Sequence, residues 1–210
     1  MYTPAHFAAP DQEASVAFMR RHPFAALVSV LPQGQAEGAG LYASHLPFAV
    51  QAAGGKVTLL AHLAKNNPQA AALDGQEAMV IFTEPHAYIS PSLYDKPLNV
   101  PTWNYVAVHA YGRVRLLHDE QGALDLLERQ MQAFEAEYLS QWAGLPEDFK
   151  QAMLKGVVCF EMETERIEGK FKLSQNRNEH ERQRVTAHLL ESEDGAARTI
   201  GEMMEALKNH

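Results

Sequence analysis

The sequence predicts an α+β chain that is mostly β: a small antiparallel barrel with peripheral helices and a helical C-terminus. Three observations carry this reading. Short apolar runs follow one another closely up to about residue 116, as the strands of a small barrel do. From Asp119 the apolar residues change to a period of about 3.6, which belongs to a helix with one buried stripe. With 46% hydrophobic and 21% charged residues among 210, the chain can bury a full core and shows no disordered bias.

The elements follow in order. Residues 12 to 21 read as a short helix with Asp11 as its N-cap. FAALVSVL (24 to 31) is a near-continuous apolar run, as in a well-covered strand, and PQGQ turns it. GLYASHLPFAV (40 to 50), KVTLLAHL (56 to 63) and AMVIF (78 to 82) follow, with AAGG and a short NPQAAALDG helix between them. PHAYISPSLY and PTWNYVAVHAYGRV (101 to 114) bring the count to five or six strands. Leu124, Leu127, Met131, Phe134 and Tyr138 then form one stripe of a helix running to about residue 140. PEDFKQAMLKG is a second short helix, with Pro146 at its start and Gly156 at its end. VVCFEMET and IEGKFKL return as strands, and NEHERQRVTAHLLESE and ARTIGEMMEALK close the chain as two amphipathic helices. No linker rich in Pro, Gly or Ser divides the chain, so a single domain over 1–210 is expected, with 170–210 as a strand end and helical extension packed on it.

Charge and motifs exclude several functions. The formal net charge is −8, which leaves no global field for nucleic-acid phosphates or anionic lipid. Direct DNA binding is therefore disfavoured, and no helix-turn-helix is evident. No run reaches the roughly 18 apolar residues of a membrane span, and the N-terminus lacks the charge pattern of a secretory signal. A lone cysteine, Cys159 within VVCF, fits a buried hydrophobe in a reducing cytoplasm. Ten histidines are many, but none pair with a carboxylate at metalloprotease spacing, so no metal site is expected. The glycine strings of Rossmann, P-loop and α/β-hydrolase sites are absent too.

Two stretches carry binding chemistry. On the strand at 101 to 114, Val106, Val108, Ala110 and Val114 share one parity and supply the interior. Trp103, Tyr105, His109, Tyr111 and Arg113 take the other face, where aromatics with polar tips suit either padding under a helix or a partner subunit or flat ligand. In AHLAKNNPQAAALDG (61 to 75), Asn67 can cap a helix that begins at Pro68 and ends at Gly75. Such a start offers free N–H groups to an anion of phosphate size. Lys65 adds a charge, and Asn66, Asn67 and Gln69 add neutral donors. Lys65 and Lys96 are the only Lys or Arg residues between 57 and 112. Together these point to a phosphate-bearing planar ligand. The basic-leaning segment IEGKFKLSQNRNEHERQR places Lys170 and Lys172 on one side if Phe171 packs inward, though Glu168, Glu179 and Glu181 lie among its cations.

MYTPAHF, SHLPF (44 to 48), AHLAKNNPQ (61 to 69), PHAYISPSLY (85 to 94), VPTWNYVAVHAYG (100 to 112) and KFKLSQNR (170 to 177) stand in this order along the chain. Together they resemble the PaiB family of FMN-binding negative transcriptional regulators, within the FMN-binding split-barrel group that includes pyridoxamine phosphate oxidases. The resemblance implies a homodimer of antiparallel split β-barrels with FMN at the subunit interface. It implies that Lys65 and Asn66 hold the phosphate, and that Ser44, His45 and Leu46 line the cofactor with Ala61 and His62. It places Trp103, Asn104 and Tyr105 on the face that meets FMN or the second subunit, and Lys172 and Gln175 of KLSQNR at the site or its rim.

Three functions remain open from the sequence: an FMN-carrying regulator, an FMN-dependent oxidoreductase, and a haem-binding split barrel. His62, Tyr105 or His109 could serve a flavin enzyme, but the sequence assigns none a catalytic role.

Overall fold

Seven strands and six α-helices build the described part of the computed structural model, residues 1–32 and 40–207. The strands are β1 (Phe24–Val30), β2 (Leu41–Pro47), β3 (Ala49–Ala53), β4 (Lys56–Ala64), β5 (Glu77–Ile89), β6 (Thr102–Leu116) and β7 (Val157–Lys172). They form one sheet in the order β2-β1-β5-β6-β7-β4-β3. β1 runs antiparallel to β2, with Leu27 opposite Ser44, and to β5, with Leu27 opposite Val80. β4 runs antiparallel to β3, with Leu60 opposite Ala49, and to β7, with His62 opposite Cys159. β2 and β3 end the order, so the sheet is not closed.

The chain falls into two compact units. The first comprises Met1–Ser15, Thr83–Val108 and Glu168–His210, and the second Val16–Phe82 and His109–Ile167. No flexible linker marks the division, because β5, β6 and β7 contribute residues to both.

In the second unit Phe48 meets Phe82 at 5.9 Å and Phe160 at 6.2 Å between ring centroids, both edge-on, and all three rings are buried. Edge-to-face contacts of this kind favour a unique packing. α2 (Glu120–Phe134) lays Ala123 and Leu126 against Ala49, Leu60 and Cys159. Gly112 of β6 allows a close approach to β7, since a Cβ there would stand 2.2 Å from the Glu163 carbonyl oxygen. In the first unit α5 (Glu179–Leu190) and α6 (Gly195–Ala206) bury Val185, Leu189, Ile200 and Met204. They meet closely at Gly201, where a Cβ would come within 3.2 Å of the Leu189 Cβ.

Several elements depart from the sequence reading. Residues 40 to 50 make two strands, not one, because the chain breaks at Phe48, whose N–H donates to Pro23 O at 2.8 Å while its ring fills the core. The helix expected through Gly75 is only a 3₁₀ turn, Pro68–Ala71. Its continuation is drawn into strand-like pairing: Gly75, at φ +69°, donates to Val114 O at 2.8 Å, and Val114 N donates back to Gln76 O at 2.9 Å. PHAYI continues β5 instead of starting a strand, and VVCFEMET and IEGKFKL are one strand, β7. The helix expected to residue 140 breaks at Glu135, which takes a non-helical backbone before α3 (Tyr138–Ala143) begins. α1 (Gln12–Arg21) and α4 (Glu147–Leu154) stand where expected. Asp11 accepts from Ala14 N at 2.7 Å. The PQGQ turn, apart from its proline, lies outside the described residues.

Candidate functional site

The turn expected to bind an anion belongs to the second unit and is held together by its own hydrogen bonds. β4 ends at Ala64, and Lys65 N donates to Gly156 O at 2.9 Å, which fastens the turn to the start of β7. Asn67 N returns to Ala64 O at 2.9 Å. The Asn67 side chain works in both directions: its Oδ1 accepts from Gln69 N at 2.9 Å as an N-cap, and its Nδ2 donates to Ser44 Oγ at 2.8 Å. Gln69 is fully buried, and its amide donates to Ser29 Oγ at 2.9 Å and lies 3.3 to 3.4 Å from the carbonyls of Tyr42 and Leu27. Sequence reasoning made Gln69 a phosphate donor. It is instead the brace that roots the turn in β1 and β2, because its N–H groups are spent on the sheet.

What this bracing leaves free is the useful part. Lys65 and Asn66 are exposed, and among the described residues neither side chain has a hydrogen-bond or ionic partner. Ser44 accepts from Asn67, so its own hydroxyl proton stays available. A four-residue 3₁₀ turn has little macrodipole, so the helix-start contribution expected from the sequence is lost and the side chains carry the site. Lys65 lines a cavity of about 390 Å³ that also takes Lys155 and Gln151 of the α4 end. Lys155 is a cation that sequence reasoning missed, since 90 residues separate it from Lys65.

His45 and Leu46 flank Ser44 on β2; His45 is exposed, with its ring stacked 6.2 Å from Phe24, and Leu46 is half-buried. Ala61 is fully buried inside the sheet. His62, of opposite parity, turns to α2, where its Nδ1 stands 2.7 Å from Gln130 Oε1.

The first unit holds the remaining candidates. Parity along β6 is as the sequence implied: Val106 and Val108 are buried while Trp103 is 51% exposed and Tyr105 half-buried. Trp103 stands 5.7 Å from both His86 and Tyr88, giving a cluster of three rings on an open face. Lys170 Nζ lies 5.3 Å from the Tyr105 ring centroid, a cation–π distance. Asn104 has the inward parity and is fully buried. Its amide exchanges hydrogen bonds with Ser174 Oγ, at 2.9 and 3.2 Å, so it is a framework residue and not part of the aromatic face. Gln175 likewise closes its own turn, accepting from Leu173 N at 2.7 Å and donating to Phe171 O at 2.5 Å. Lys172 donates to Thr102 Oγ1 at 2.6 Å and to the Trp103 carbonyl, which fixes the backbone beneath the tryptophan. Partial burial, with Lys170 and Arg177 nearby, lowers its pKa from the usual lysine value.

This donor set suits FMN. A free ammonium, a free carboxamide and a free hydroxyl on a braced turn match the oxygens of its phosphate.

Comparison with known proteins agrees. Residues 1–166 match the family described as "Putative FMN-binding domain". The chain is 34% identical to the "Protease synthase and sporulation protein PAI 2" of Bacillus subtilis, over 98% of this chain and 97% of that protein. Among solved structures it is similar in fold to the FAD and heme binding protein from Mycobacterium smegmatis, with a TM-score of 0.58 and 14% identity over 79% of this chain and 73% of that one. The flavocytochrome Anf3 from Azotobacter vinelandii gives a TM-score of 0.58 and 16% identity over 79% and 69%. The antiparallel sheet with peripheral helices is thus a split barrel that leaves its sheet open, and the chain belongs to the PaiB-like family of FMN-binding proteins.

Proposed function

We propose that this protein holds FMN chiefly by its phosphate at the Lys65–Asn67 turn, and that it acts as a homodimeric, cytoplasmic regulator and not as a turnover enzyme. The observation that carries the reading is the unpaired Lys65 and Asn66 on a turn that the Asn67 side chain and the Gln69 amide nitrogen brace against β1 and β2. The braced backbone keeps both side chains rooted at one place, so binding orders the side chains alone and not the turn. Lys65 supplies the charge, Asn66 and the Ser44 hydroxyl orient oxygens, and Asn67 and Gln69 hold the frame. Bound FMN supplies one- and two-electron transfer chemistry.

The regulatory class rests on the Bacillus relative, whose name ties it to protease synthesis and sporulation. The net charge of −8 argues that any regulation runs through a protein partner or through flavin occupancy, not through direct contact with DNA. A second copy of the chain is the natural cover for the exposed Trp103 and Tyr88 of the first unit, since large aromatics dominate subunit contacts. The lone Cys159, buried, suits a reducing compartment.

The test is a titration of flavin fluorescence with FMN and riboflavin. Far weaker binding of riboflavin supports a phosphate grip, whereas equal affinity for the two places the phosphate in solvent and overturns the reading.

A further inference from the structure

α2 does not bury the stripe that its sequence advertises. The residues it presses into the core are Ala123, Leu126 and Gln130. Leu127, Met131 and Phe134, with Tyr138 of α3, instead line a cavity of about 220 Å³ completed by Pro47, His62, Gln130 and Glu135. Phe134 is 46% exposed at its edge, where α2 breaks. Leu127 also packs against the core cluster around Leu60, whereas Met131 and Phe134 stand around the opening, with the buried Gln130 beside them.

That glutamine sets the chemistry of the cavity. Gln130 Nε2 lies 3.2 Å from Pro47 O and 3.3 Å from Leu60 O, two acceptors with no proton to give. The reversed amide would press its oxygen against both carbonyls, so the orientation is fixed and Oε1 must accept. Its partner at 2.7 Å is His62 Nδ1, which must therefore carry the proton. The neutral ring is held as the Nδ1–H tautomer, and its lone pair is on Nε2. Nε2 is not among the buried polar atoms that lack a partner, and no described residue bonds it. His62 lines the cavity, so Nε2 is the ring nitrogen left for a guest. Among the described lining residues there is no Lys or Arg, and the only formal charge is Glu135. With no cation among its described lining residues, the cavity has nothing to hold a phosphate or carboxylate, so it is not a second anion site.

We propose that this cavity is a binding site, separate from the FMN phosphate turn, for a small uncharged aromatic molecule bearing one ring N–H or O–H donor. The donor seats on His62 Nε2, and the ring packs on Leu127, Met131 and Phe134. The polarizable, flexible Met131 adapts to a flat guest, and the exposed Phe134 gives it a ring edge or face. Gln130 is a positioning residue: it presents the acceptor and does not touch the guest's donor.

The experiment uses the full-length protein as purified, with indole and N-methylindole as probes. The two share a body, and only indole carries the donor. Indole should shift the Met131 methyl and His62 ring-nitrogen NMR signals saturably, and N-methylindole should bind roughly 3- to 10-fold more weakly, the worth of one neutral hydrogen bond. Leu127→Trp, which fills the cavity, should abolish the indole shifts while FMN affinity is retained. That retained affinity shows the variant is folded. His62→Phe should bring the two probes to equal affinity. Absence of saturable shifts, equal affinity of the probes for the parent protein, or displacement of indole by FMN would each overturn the proposal. Displacement would assign the cavity to the flavin and would leave the phosphate grip at Lys65 standing.

Discussion

Asn67 and Ser44 are joined side chain to side chain at 2.8 Å, across 23 positions of sequence, and through that bond the turn after β4 is tied to β2. The same asparagine caps the 3₁₀ turn through its other amide atom. Asn67→Ala removes both contacts. Loss of a cap costs about 1 kcal/mol, so denaturant unfolding should show a loss of about 1 to 2 kcal/mol. FMN affinity should fall with it, because Lys65 and Asn66 lose their fixed base.

Lys65→Ala should weaken FMN by roughly 10- to 150-fold, the range for one charge-assisted hydrogen bond, and should narrow the gap between FMN and riboflavin. Lys96→Ala is the matched control, since Lys96 sits in a loop of the first unit and should change affinity little. Lys155 shares the Lys65 cavity, so Lys155→Ala should have an intermediate effect. Fluorescence titration ranks the three, and a larger loss from Lys96→Ala than from Lys65→Ala would move the phosphate elsewhere.

Trp103→Ala should raise the dimer dissociation constant by roughly 1,000-fold, since a central aromatic worth about 2 kcal/mol is lost from both subunits. Analytical ultracentrifugation at micromolar concentration reads this directly. A parent protein that sediments as a stable monomer would remove the homodimer reading.

Gly112→Ala should be severely destabilising. The added Cβ would meet the Glu163 carbonyl oxygen at 2.2 Å, and backbone on a paired strand cannot step aside as a side chain would. About 3 kcal/mol or more is expected, the upper end for overpacking, with a matching fall in the thermal midpoint. Unchanged stability would mean that β6 and β7 do not approach so closely at this point.

The Cys159 thiol is pushed up to about 11 by burial. It should resist a disulfide reagent at pH 8 in the native protein and react promptly in denaturant. The sign for stability follows from the folded value lying above the ordinary thiol value of 9.0. The unfolded chain releases this proton first, so the contribution is complete below pH 9 and is lost as pH rises toward 11. Cys159→Ala should flatten the alkaline limb of the stability profile.

Much of the architecture was legible from residue types alone. Alternation on β6 separated Val106 and Val108 from Trp103 and Tyr105, because strand parity is local. Asn67 followed by Pro68 announced its cap for the same reason. What sequence could not show depends on distant partners. Gln69 and Asn104 look like ordinary surface amides until Ser29 and Ser174 are brought to them. Lys155 joins Lys65 only after β4 and β7 pair. The stripe of α2 misled for a different reason: a helix pattern marks which side is apolar, and it does not say whether that side meets a core or an opening. The one available signal was Gln130, a polar residue spaced at helical intervals from Ala123 and Leu126.

The solitary, sealed position of Cys159 has a practical side. A cysteine introduced at Trp103, Lys65 or Phe134 would be the single accessible thiol on the folded molecule, so a spin label or dye could be attached there without first stripping native sulfur from the chain. Distances between such labels would report on copies of the chain meeting in solution, and a dye at Phe134 would sense a guest entering beneath α2.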